Sequence, residues 1–185
     1  MAPPVIMLIR HGEKPDGDIG GVLLDGSDDI QSLTVQGWQR AGALATMFDP
    51  ARGSLPSAAM AIPQFLFAAH MNPDTEKDSK RPVQTLQPLS LKLNLDINDS
   101  FKKKDPTDMV AQAITCNGPV LIAWQHDQIP AIGNAITGNS TTVPQEWPAE
   151  RFDMVWVFAA SSGGGYEFTQ VPQLLLAGDL ATPIS

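Results

Sequence analysis

Several basic side chains that could bind an anion follow the apolar runs of this sequence directly. Arg10 and His11 follow residues 5–9, and His126 follows a later apolar run with one glutamine between. Arg81 lies at a predicted helix start, where free amide groups and the positive end of the helix dipole attract anions. Because ligands of open α/β sheets bind outside the carboxyl ends of the strands, we expect both histidines to converge on one pocket. The pattern predicts a pocket in which imidazole groups lie beside a bound anion.

The overall charge of the chain limits the partners that such a pocket could serve. The sequence has 12 Lys and Arg residues against 20 Asp and Glu residues, which gives a formal charge of -8. An acidic surface repels nucleic acids and anionic lipids, so an anionic ligand must be drawn in by a local basic pocket. We therefore expect neither nucleic acid nor a membrane among the partners.

Metal, disulfide and targeting signals are weak in this sequence. Cys116 is the single cysteine and the three histidines are scattered, so we expect no disulfide, no metal site and no cofactor. No apolar run approaches the ~18 residues that a membrane helix needs. The first residues lack the basic start, long apolar centre and cleavage site of a signal peptide. These features predict a cytoplasmic protein.

Apolar runs alternate with segments of helical periodicity along the sequence. Strands are predicted at residues 5–9, 65–69, 97–101, 119–124, 152–159 and 166–171, and helices near residues 34–49, 81–93, 106–115 and 129–136. This alternation favours an α/β fold, a three-layer α/β/α sandwich with a mostly parallel central sheet. The last two strands form a hairpin, which predicts an antiparallel C-terminal edge. We expect residues 1–185 to form a single domain.

The segments between these elements are polar. Residues 16–32 are rich in glycine and aspartate and predict a long loop that serves as a solvated lid. A second polar loop is predicted at residues 72–80. The run Lys102-Lys103-Lys104 is typical of an exposed turn, and the alternative is a basic mouth to the pocket. His70, after the second strand, is interpreted as a structural histidine.

Four short segments carry a resemblance to a known family. They are Leu8-Ile9-Arg10-His11-Gly12-Glu13, Leu33-Thr34-Val35-Gln36-Gly37-Trp38, Ser79-Lys80-Arg81-Pro82-Val83-Gln84-Thr85 and Trp124-Gln125-His126-Asp127. The first resembles the RHG signature of the histidine phosphatase superfamily, which includes the cofactor-dependent phosphoglycerate mutases. The other three fit the pattern of that family in the same order. The resemblance spans roughly residues 5–171 and is far more specific than the RHG tripeptide alone.

The resemblance implies a role for each matched residue. His11 is the expected nucleophile that becomes phosphorylated, and a neutral imidazole suits that role near pH 7. Arg10 and Arg81 are expected to clamp the phosphoryl oxygens through their forked guanidinium groups. His126 is expected to donate a hydrogen bond to the same oxygens, and Gly12 to let the backbone approach them. Lys14 is expected either to bind phosphate or to be solvated.

The general acid is the part of the pattern that this sequence does not match. Many members of the mutase-like branch place a glutamate in a loop downstream of the residue equivalent to Arg81. This chain has no glutamate between Arg81 and Glu146. Asp127 resembles the aspartate of the His-Asp pair in the acid phosphatase branch, where that aspartate donates the proton. We therefore favour Asp127, with Asp105 second and Glu13 third.

These features predict a metal-independent phosphatase that works through phosphorylated His11. The substrate would be a small phosphoester or a phosphoprotein. A phosphate-binding or regulatory protein with little turnover is the main alternative, because the expected glutamate is missing. A phosphoglycerate mutase-like phosphomutase is the other alternative, and it needs strong acid assistance in both directions of the transfer.

Overall fold

The computed structural model describes residues 3–71 and 78–185, so most of the polar loop predicted at residues 72–80 lies outside it. Its elements run in chain order as β1 Ile6–Arg10, α1 Val35–Phe48, β2 Phe65–Ala69, α2 Arg81–Leu93, β3 Ile97–Phe101, α3 Pro106–Ala113, β4 Val120–Trp124, a 3-10 turn His126–Gln128, α4 Ile129–Thr137, β5 Met154–Ala160 and β6 Tyr166–Pro172. No helix among the described residues is both long enough and apolar enough to span a bilayer.

One mixed sheet organises the described residues. Its strands lie in the order β3-β2-β4-β1-β5-β6. The first four strands of that order are parallel to one another, whereas β5 runs antiparallel to β1 and β6 antiparallel to β5. The predicted fold class is therefore confirmed, including the antiparallel C-terminal edge. In the centre of the sheet, Arg10 of β1 pairs with Trp124 of β4, which brings both strand ends to one edge.

Alternate residues of the central strands feed two separate cores, one on each face of the sheet. On one face, residues such as Met7 and Leu121 pack with Leu44 of α1 and Leu86 of α2. On the other face, neighbouring positions of the same strands pack against α3 and α4, with Trp124 among them. Strands that are buried on both faces need continuous apolar sequence, which is what β1 and β4 supply. The result is the predicted sandwich of three layers.

The long loop at residues 16–32 is anchored at the start of α2. Lys80 Nζ lies 3.0 Å from a carboxylate oxygen of Asp29. Arg81 Nη1 donates a hydrogen bond of 3.1 Å to the carbonyl oxygen of Ile30. Gln84 accepts a hydrogen bond from the backbone amide of Leu33 and donates one to the Ser32 hydroxyl. In this conformation the loop and the helix that carries Arg81 are therefore joined by polar contacts.

Candidate active site

The ends of β1 and β4 bring the matched residues together. The backbone amide of His11 donates a hydrogen bond of 3.0 Å to the carbonyl oxygen of Trp124, which fixes the residue after β1 against the end of β4. The positive charges of Arg10 and Arg81 act on the His11 imidazole, and a protonated His126 would do the same. Arg10 and His11 thus share one electrostatic environment with Arg81 and His126, which are far away in the sequence.

His11 is held as a neutral imidazole with a defined tautomer. Its side chain is buried, with 3% of the residue exposed. Nδ1 lies 2.7 Å from the carbonyl oxygen of Gly12, and a carbonyl can only accept, so Nδ1 carries the proton and Nε2 the lone pair. Burial, together with the positive charges of Arg10 and Arg81, lowers the pKa of His11 to about 3, although the hydrogen bond to the Gly12 carbonyl opposes the shift. A neutral imidazole with a lone pair on Nε2 can act as a nucleophile at pH 7.

Arg10 is fully buried and rigidly positioned. Its Nη1 donates hydrogen bonds to the carbonyl oxygens of Pro148, Ala149 and Arg151. The guanidinium carbon lies 3.7 Å from the centroid of the Phe152 ring, a cation–π contact. Burial lowers the pKa of Arg10 to about 10, so the side chain stays charged at pH 7. Nε and Nη2 are buried and have no partner among the described residues.

Arg81, the first residue of α2, supplies a second guanidinium, which is half-buried. Its Nη1 contacts Ile30, while Nε is buried without a partner among the described residues. Burial lowers the pKa of Arg81. Unpaired buried donors are unfavourable, by roughly 1–3 kcal/mol each, and a bound oxyanion would satisfy them. The three partnerless guanidinium nitrogens of Arg10 and Arg81 therefore suit a phosphoryl group.

Gly12 joins this site to two helices. Its backbone amide donates a hydrogen bond of 2.8 Å to Thr85 Oγ1, whose hydroxyl donates at 2.7 Å to the carbonyl oxygen of Arg81. A Cβ atom on Gly12 would lie 3.0 Å from the carbonyl oxygen of Gly37, so the residue must be small for packing against α1. With its amide committed to Thr85, Gly12 does not present that N–H to a ligand in this conformation.

His126 and Asp127 lie in the 3-10 turn after β4. Burial and the charge of Arg10 lower the pKa of His126, so it is neutral at pH 7. The Asp127 carboxylate is 2.8 Å from Lys103 Nζ, an exposed ion pair. Burial would raise the pKa of Asp127, but the hydrogen bond and charge of Lys103 outweigh it and lower the pKa. Asp127 is therefore ionised at pH 7.

The other candidate polar groups fall in different surroundings. Asp105, just before α3, lines a cleft of about 910 Å³ together with Arg81 and His70. The carboxylate of Glu13 instead accepts a hydrogen bond of 2.9 Å from Arg40 Nε, in a buried ion pair. Lys14 is exposed and lines a neighbouring cleft of about 420 Å³. Of the three candidate acids, Asp105 thus shares a cleft with Arg81, and Glu13 is committed to Arg40.

Solved structures match this chain over nearly its full length. A mutant phosphoserine phosphatase from Entamoeba histolytica, in complex with phosphoserine, is 11% identical with a TM-score of 0.53 over 90% of this chain and 95% of that chain. A mycobacterial glucosyl-3-phosphoglycerate phosphatase with inorganic phosphate is 14% identical with a TM-score of 0.52, over 90% and 95% of the two chains. YhfR of Bacillus stearothermophilus is 13% identical with a TM-score of 0.53, over 96% and 98%.

The chain has the histidine phosphatase fold. At these identities the likeness extends to the fold alone. No protein-family model matches the sequence, and no curated protein matches it significantly. In this fold the four matched segments are in contact: the Gly12 amide donates to Thr85, the His11 amide donates to Trp124, and Gly12 packs against Gly37.

The sequence did not predict the residues that position Arg10 and Gly12 in this histidine phosphatase fold. Phe152 and the carbonyl groups of residues 148–151 position Arg10, but they lie far along the chain and carry no local signal. Thr85 was visible as part of the Arg-x-x-Gln-Thr segment, yet its link to Gly12 depends on tertiary packing. In the part of the chain that the structure describes, no group of three or more His, Cys, Asp or Glu side chains is placed to hold a metal ion.

Proposed function

We propose that this chain is a metal-independent phosphatase that transfers a phosphoryl group to His11 and then to water. One observation carries the proposal: a buried, neutral His11 lies in the field of Arg10 and Arg81, and the buried Nε and Nη2 of Arg10 and Nε of Arg81 have no partner among the described residues. A protein that only binds an anion would need the two arginines, but it would not need a histidine whose tautomer leaves a nucleophilic lone pair on Nε2. Two structures with this fold are named as phosphatases, and one of them holds inorganic phosphate.

The first half of the reaction would form phosphohistidine. The Nε2 lone pair of His11 bonds to phosphorus while the bond from phosphorus to the ester oxygen breaks, and the leaving oxygen takes a proton from the acid. Arg10 and Arg81 offset the charge on the phosphoryl oxygens, which is the main requirement of this chemistry. The Gly12 carbonyl, which accepts from Nδ1, stabilises the positive charge that develops on the imidazole.

The second half of the reaction would hydrolyse the phosphohistidine and regenerate the neutral imidazole of His11. Water attacks the phosphorus, the bond from phosphorus to Nε2 breaks, and the carboxylate that gave its proton takes one from the attacking water. The neutral His126, beside Arg10, would donate a hydrogen bond to a phosphoryl oxygen in both halves.

Proton donation is assigned to Asp127 first, Asp105 second and Glu13 third. Asp127 must leave Lys103 and gain a proton before it can act, which substrate binding would have to induce. Asp105 already lines the cleft beside Arg81. Because acid assistance is not preassembled, substrates whose leaving groups need little protonation, such as aryl phosphates and phosphohistidine, should react faster than esters with alkoxide leaving groups. The proposed substrate is a small phosphoester or a phosphoprotein.

The experiment is a panel of phosphoesters and phosphohistidine, assayed without added metal on the native chain and on His11→Ala. We expect phosphate release by the native chain and none above background by His11→Ala, with an unchanged far-ultraviolet dichroism spectrum. Chelators should leave the native rate unchanged. Native-like turnover by His11→Ala would contradict the proposal.

A phosphate-binding or regulatory protein is the second candidate, and the ionised state of Asp127 favours it. Such a protein would bind inorganic phosphate through Arg10 and Arg81 but release no phosphate from any ester. Calorimetric titration with phosphate on the native chain, run beside the panel, separates the two functions.

A further inference from the structure

The chain that follows β6, here called the C-terminal segment (residues 173–182), is fixed by polar contacts to two parts of the molecule that adjoin Arg10. One part is the segment 148–153, whose carbonyl groups accept hydrogen bonds from the Arg10 guanidinium. The other part is Arg40 of α1, which pairs with Glu13 in the loop after β1. The C-terminal segment is thus connected to Arg10 along two routes.

The first route runs through the side chain of Arg151. Its Nη2 donates a hydrogen bond of 2.8 Å to the carbonyl oxygen of Thr182, and its Nε donates at 2.7 Å to Asp153 Oδ1. The other carboxylate oxygen of Asp153 accepts at 2.7 Å from the backbone amide of Leu180. The carbonyl oxygen of Arg151 in turn accepts at 2.9 Å from Arg10 Nη1. Because Arg151 and Asp153 are buried, water competes little with these bonds, and they fix a carbonyl group to which Arg10 donates.

The second route runs through Arg40, which is buried in α1. Its Nη1 and Nη2 donate to the two carboxylate oxygens of Asp179, at 3.1 and 2.7 Å, in a forked ion pair. Nη1 also donates at 2.9 Å to Gln173 Oε1, and Nε donates at 2.9 Å to Glu13 Oε1. Every nitrogen of this guanidinium therefore has a partner within the protein. Arg40 joins the C-terminal segment to Glu13.

Glu13 extends the second route to Arg10 through its charge. Burial lowers the pKa of Arg10, and the Glu13 carboxylate is the charge that opposes this effect most strongly. A carboxylate that attracts a buried guanidinium restricts where that guanidinium can lie. Arg40 holds this carboxylate in place, and Asp179 holds Arg40. The two routes therefore act on the same side chain, one through hydrogen-bonded carbonyl groups and the other through charge.

We propose that the C-terminal segment positions Arg10 for phosphate, with Arg151 and Arg40 as the positioning residues. Neither residue touches the ligand, and each transmits the placement of the C-terminal segment to Arg10. The inference rests on the proposed function only in taking Arg10 as a ligand of the phosphoryl group. It holds equally for a protein that binds phosphate without turnover.

Arg151→Lys tests the first route, with the dissociation constant of inorganic phosphate measured by calorimetry. Lysine keeps the positive charge, but its single nitrogen cannot replace the fork that reaches both Asp153 and the Thr182 carbonyl. We expect phosphate to bind about tenfold more weakly, the equivalent of about one charge-assisted hydrogen bond. Since the charge is unchanged, a weaker complex reports on position. A native dissociation constant in this variant would overturn the proposal.

Asp179→Asn tests the second route and separates positioning from long-range charge. Both carboxylate oxygens of Asp179 accept hydrogen bonds, from Arg40 and from the amides of Leu175 and Leu176, so an amide group must break at least one of these bonds. Removal of a negative charge would by itself strengthen phosphate binding. A loosened Arg40 weakens it, and we expect binding to be roughly fivefold weaker. Unchanged or tighter binding would overturn the proposal.

Ile136→Ala is the control for a general loss of stability. Ile136 is buried in the last turn of α4, at the end of that helix remote from His126, and its truncation leaves a cavity in the core. Urea unfolding ranks the three variants by stability, and phosphate binding is measured where each is folded. Ile136→Ala should keep the native dissociation constant. If it weakens phosphate binding in proportion to its loss of stability, the positioning role is overturned.

The ester panel reports on the proposed function separately. Phosphate binding that weakens in Arg151→Lys and Asp179→Asn, without turnover of any ester by the native chain, supports the positioning role and rejects the phosphatase. Turnover by the native chain, with native phosphate affinity in either variant, rejects the positioning role alone. A native chain that binds no phosphate rejects both, because Arg10 would then not be a phosphate ligand.

Discussion

Burial and the guanidinium groups of Arg10 and Arg81 keep the His11 imidazole neutral well below pH 7. The same arrangement places two cations beside it, the buried Arg10 and the half-buried Arg81, each with at least one buried donor that no described residue satisfies. Positive groups fixed in place before the substrate arrives need no reorganisation when negative charge develops. The free energy stored in these unpaired donors becomes available when phosphoryl oxygens bind. The individual side chains of the site are therefore placed to bind a negatively charged ligand.

Arg81→Lys tests the forked contact that this geometry implies. An ammonium keeps the charge but cannot donate two parallel hydrogen bonds, so we expect kcat/KM to fall by roughly 10- to 100-fold. Arg52→Lys, an exposed arginine outside the site, is the control and should leave kcat/KM unchanged. A native value for Arg81→Lys in steady-state kinetics would contradict the assigned role.

The proton donor is tested by the leaving-group dependence of two variants. If Asp127 is the acid, Asp127→Asn should slow alkyl phosphates by about 10²–10⁴-fold and aryl phosphates far less, because aryl leaving groups need little protonation. Asp105→Asn removes the same charge from the competing cleft position and is the matched comparison. Equal slowing of both ester classes by Asp127→Asn would leave Asp127 with a role in pairing Lys103 or positioning His126. Leaving-group dependence in Asp105→Asn alone would transfer the role to Asp105.

Among the secondary structure elements, the start of α1 supports the loop that follows β1. Thr34 accepts a hydrogen bond from the amide of Gly37 as the cap of this helix, and its own amide donates to the carbonyl oxygen of Glu13. Gly37 lies so close to this loop that a Cβ atom would stand 2.6 Å from the Glu13 carbonyl oxygen. The position of His11 therefore depends on a helix that contributes none of the catalytic side chains.

Gly37→Ala and Gly42→Ala test this contact within one helix. Alanine is favoured over glycine in a helix interior by about 1 kcal/mol, and a Cβ atom on Gly42 would meet nothing within 4 Å, so Gly42→Ala should stabilise the protein by about that amount. Gly37→Ala should instead destabilise it, by roughly 1–3 kcal/mol, because backbone atoms must move to admit the methyl group. Urea unfolding measures the free energy of unfolding of both variants. Equal stabilisation by the two substitutions would show that the loop after β1 moves without cost to accommodate the methyl group.

Periodicity and turn residues predicted most of the elements. β2 and β3 have the predicted bounds. β2 is a short apolar run, whereas β3 has polar residues between Ile97 and Phe101. The 3-10 turn at His126–Gln128 was not predicted, nor was the docking of residues 16–32 on α2. That docking uses a Gln84 side chain bonded to a distant backbone amide, and no local pattern encodes such a contact.

The candidate site shows the same division between local and tertiary information. His11, Arg10 and His126 could be found because strand ends of a parallel sheet meet at one edge. The ring of Phe152 and the carbonyl groups that hold Arg10 come from the segment before β5, whose path across that edge depends on the packed fold. The ion pair of Asp127 with Lys103 was equally invisible, since it joins the turns after β3 and β4.

For the molecule as a whole, the distribution of charge is the main electrostatic feature. The chain has a formal charge of -8, yet Arg10, Arg81 and the run Lys102-Lys103-Lys104 all lie at the carboxyl edge of the sheet. Burying positive charge and a neutral imidazole in the same place makes folding depend on pH. An unfolded chain can protonate His11 freely, whereas the folded chain resists it.

The last prediction concerns this dependence between pH 7 and pH 5. The pKa of His11 is about 3 in the folded protein against about 6.5 unfolded, so within this interval the unfolded chain binds the extra proton. The stability that depends on a neutral His11 is therefore present above pH 6.5 and is lost as the pH falls toward 3. By linkage, this group should lower the free energy of unfolding by about 2 kcal/mol between pH 7 and pH 5.

Urea unfolding in phosphate-free buffer at the two pH values measures the loss, and His11→Gln is the comparison because glutamine cannot titrate and keeps a donor for the Gly12 carbonyl. The lowered pKa values of Asp127 and Asp179 act only near and below pH 4, so they do not contribute in this interval. His126, whose pKa is also lowered, contributes to the stability of both proteins, so its contribution cancels in the comparison.

The free energy of unfolding of His11→Gln should fall by about 2 kcal/mol less than that of the native chain on acidification from pH 7 to pH 5. Equal losses would mean that the imidazole accepts a proton in the folded state, and a nucleophile kept neutral by burial would then be the wrong description of His11.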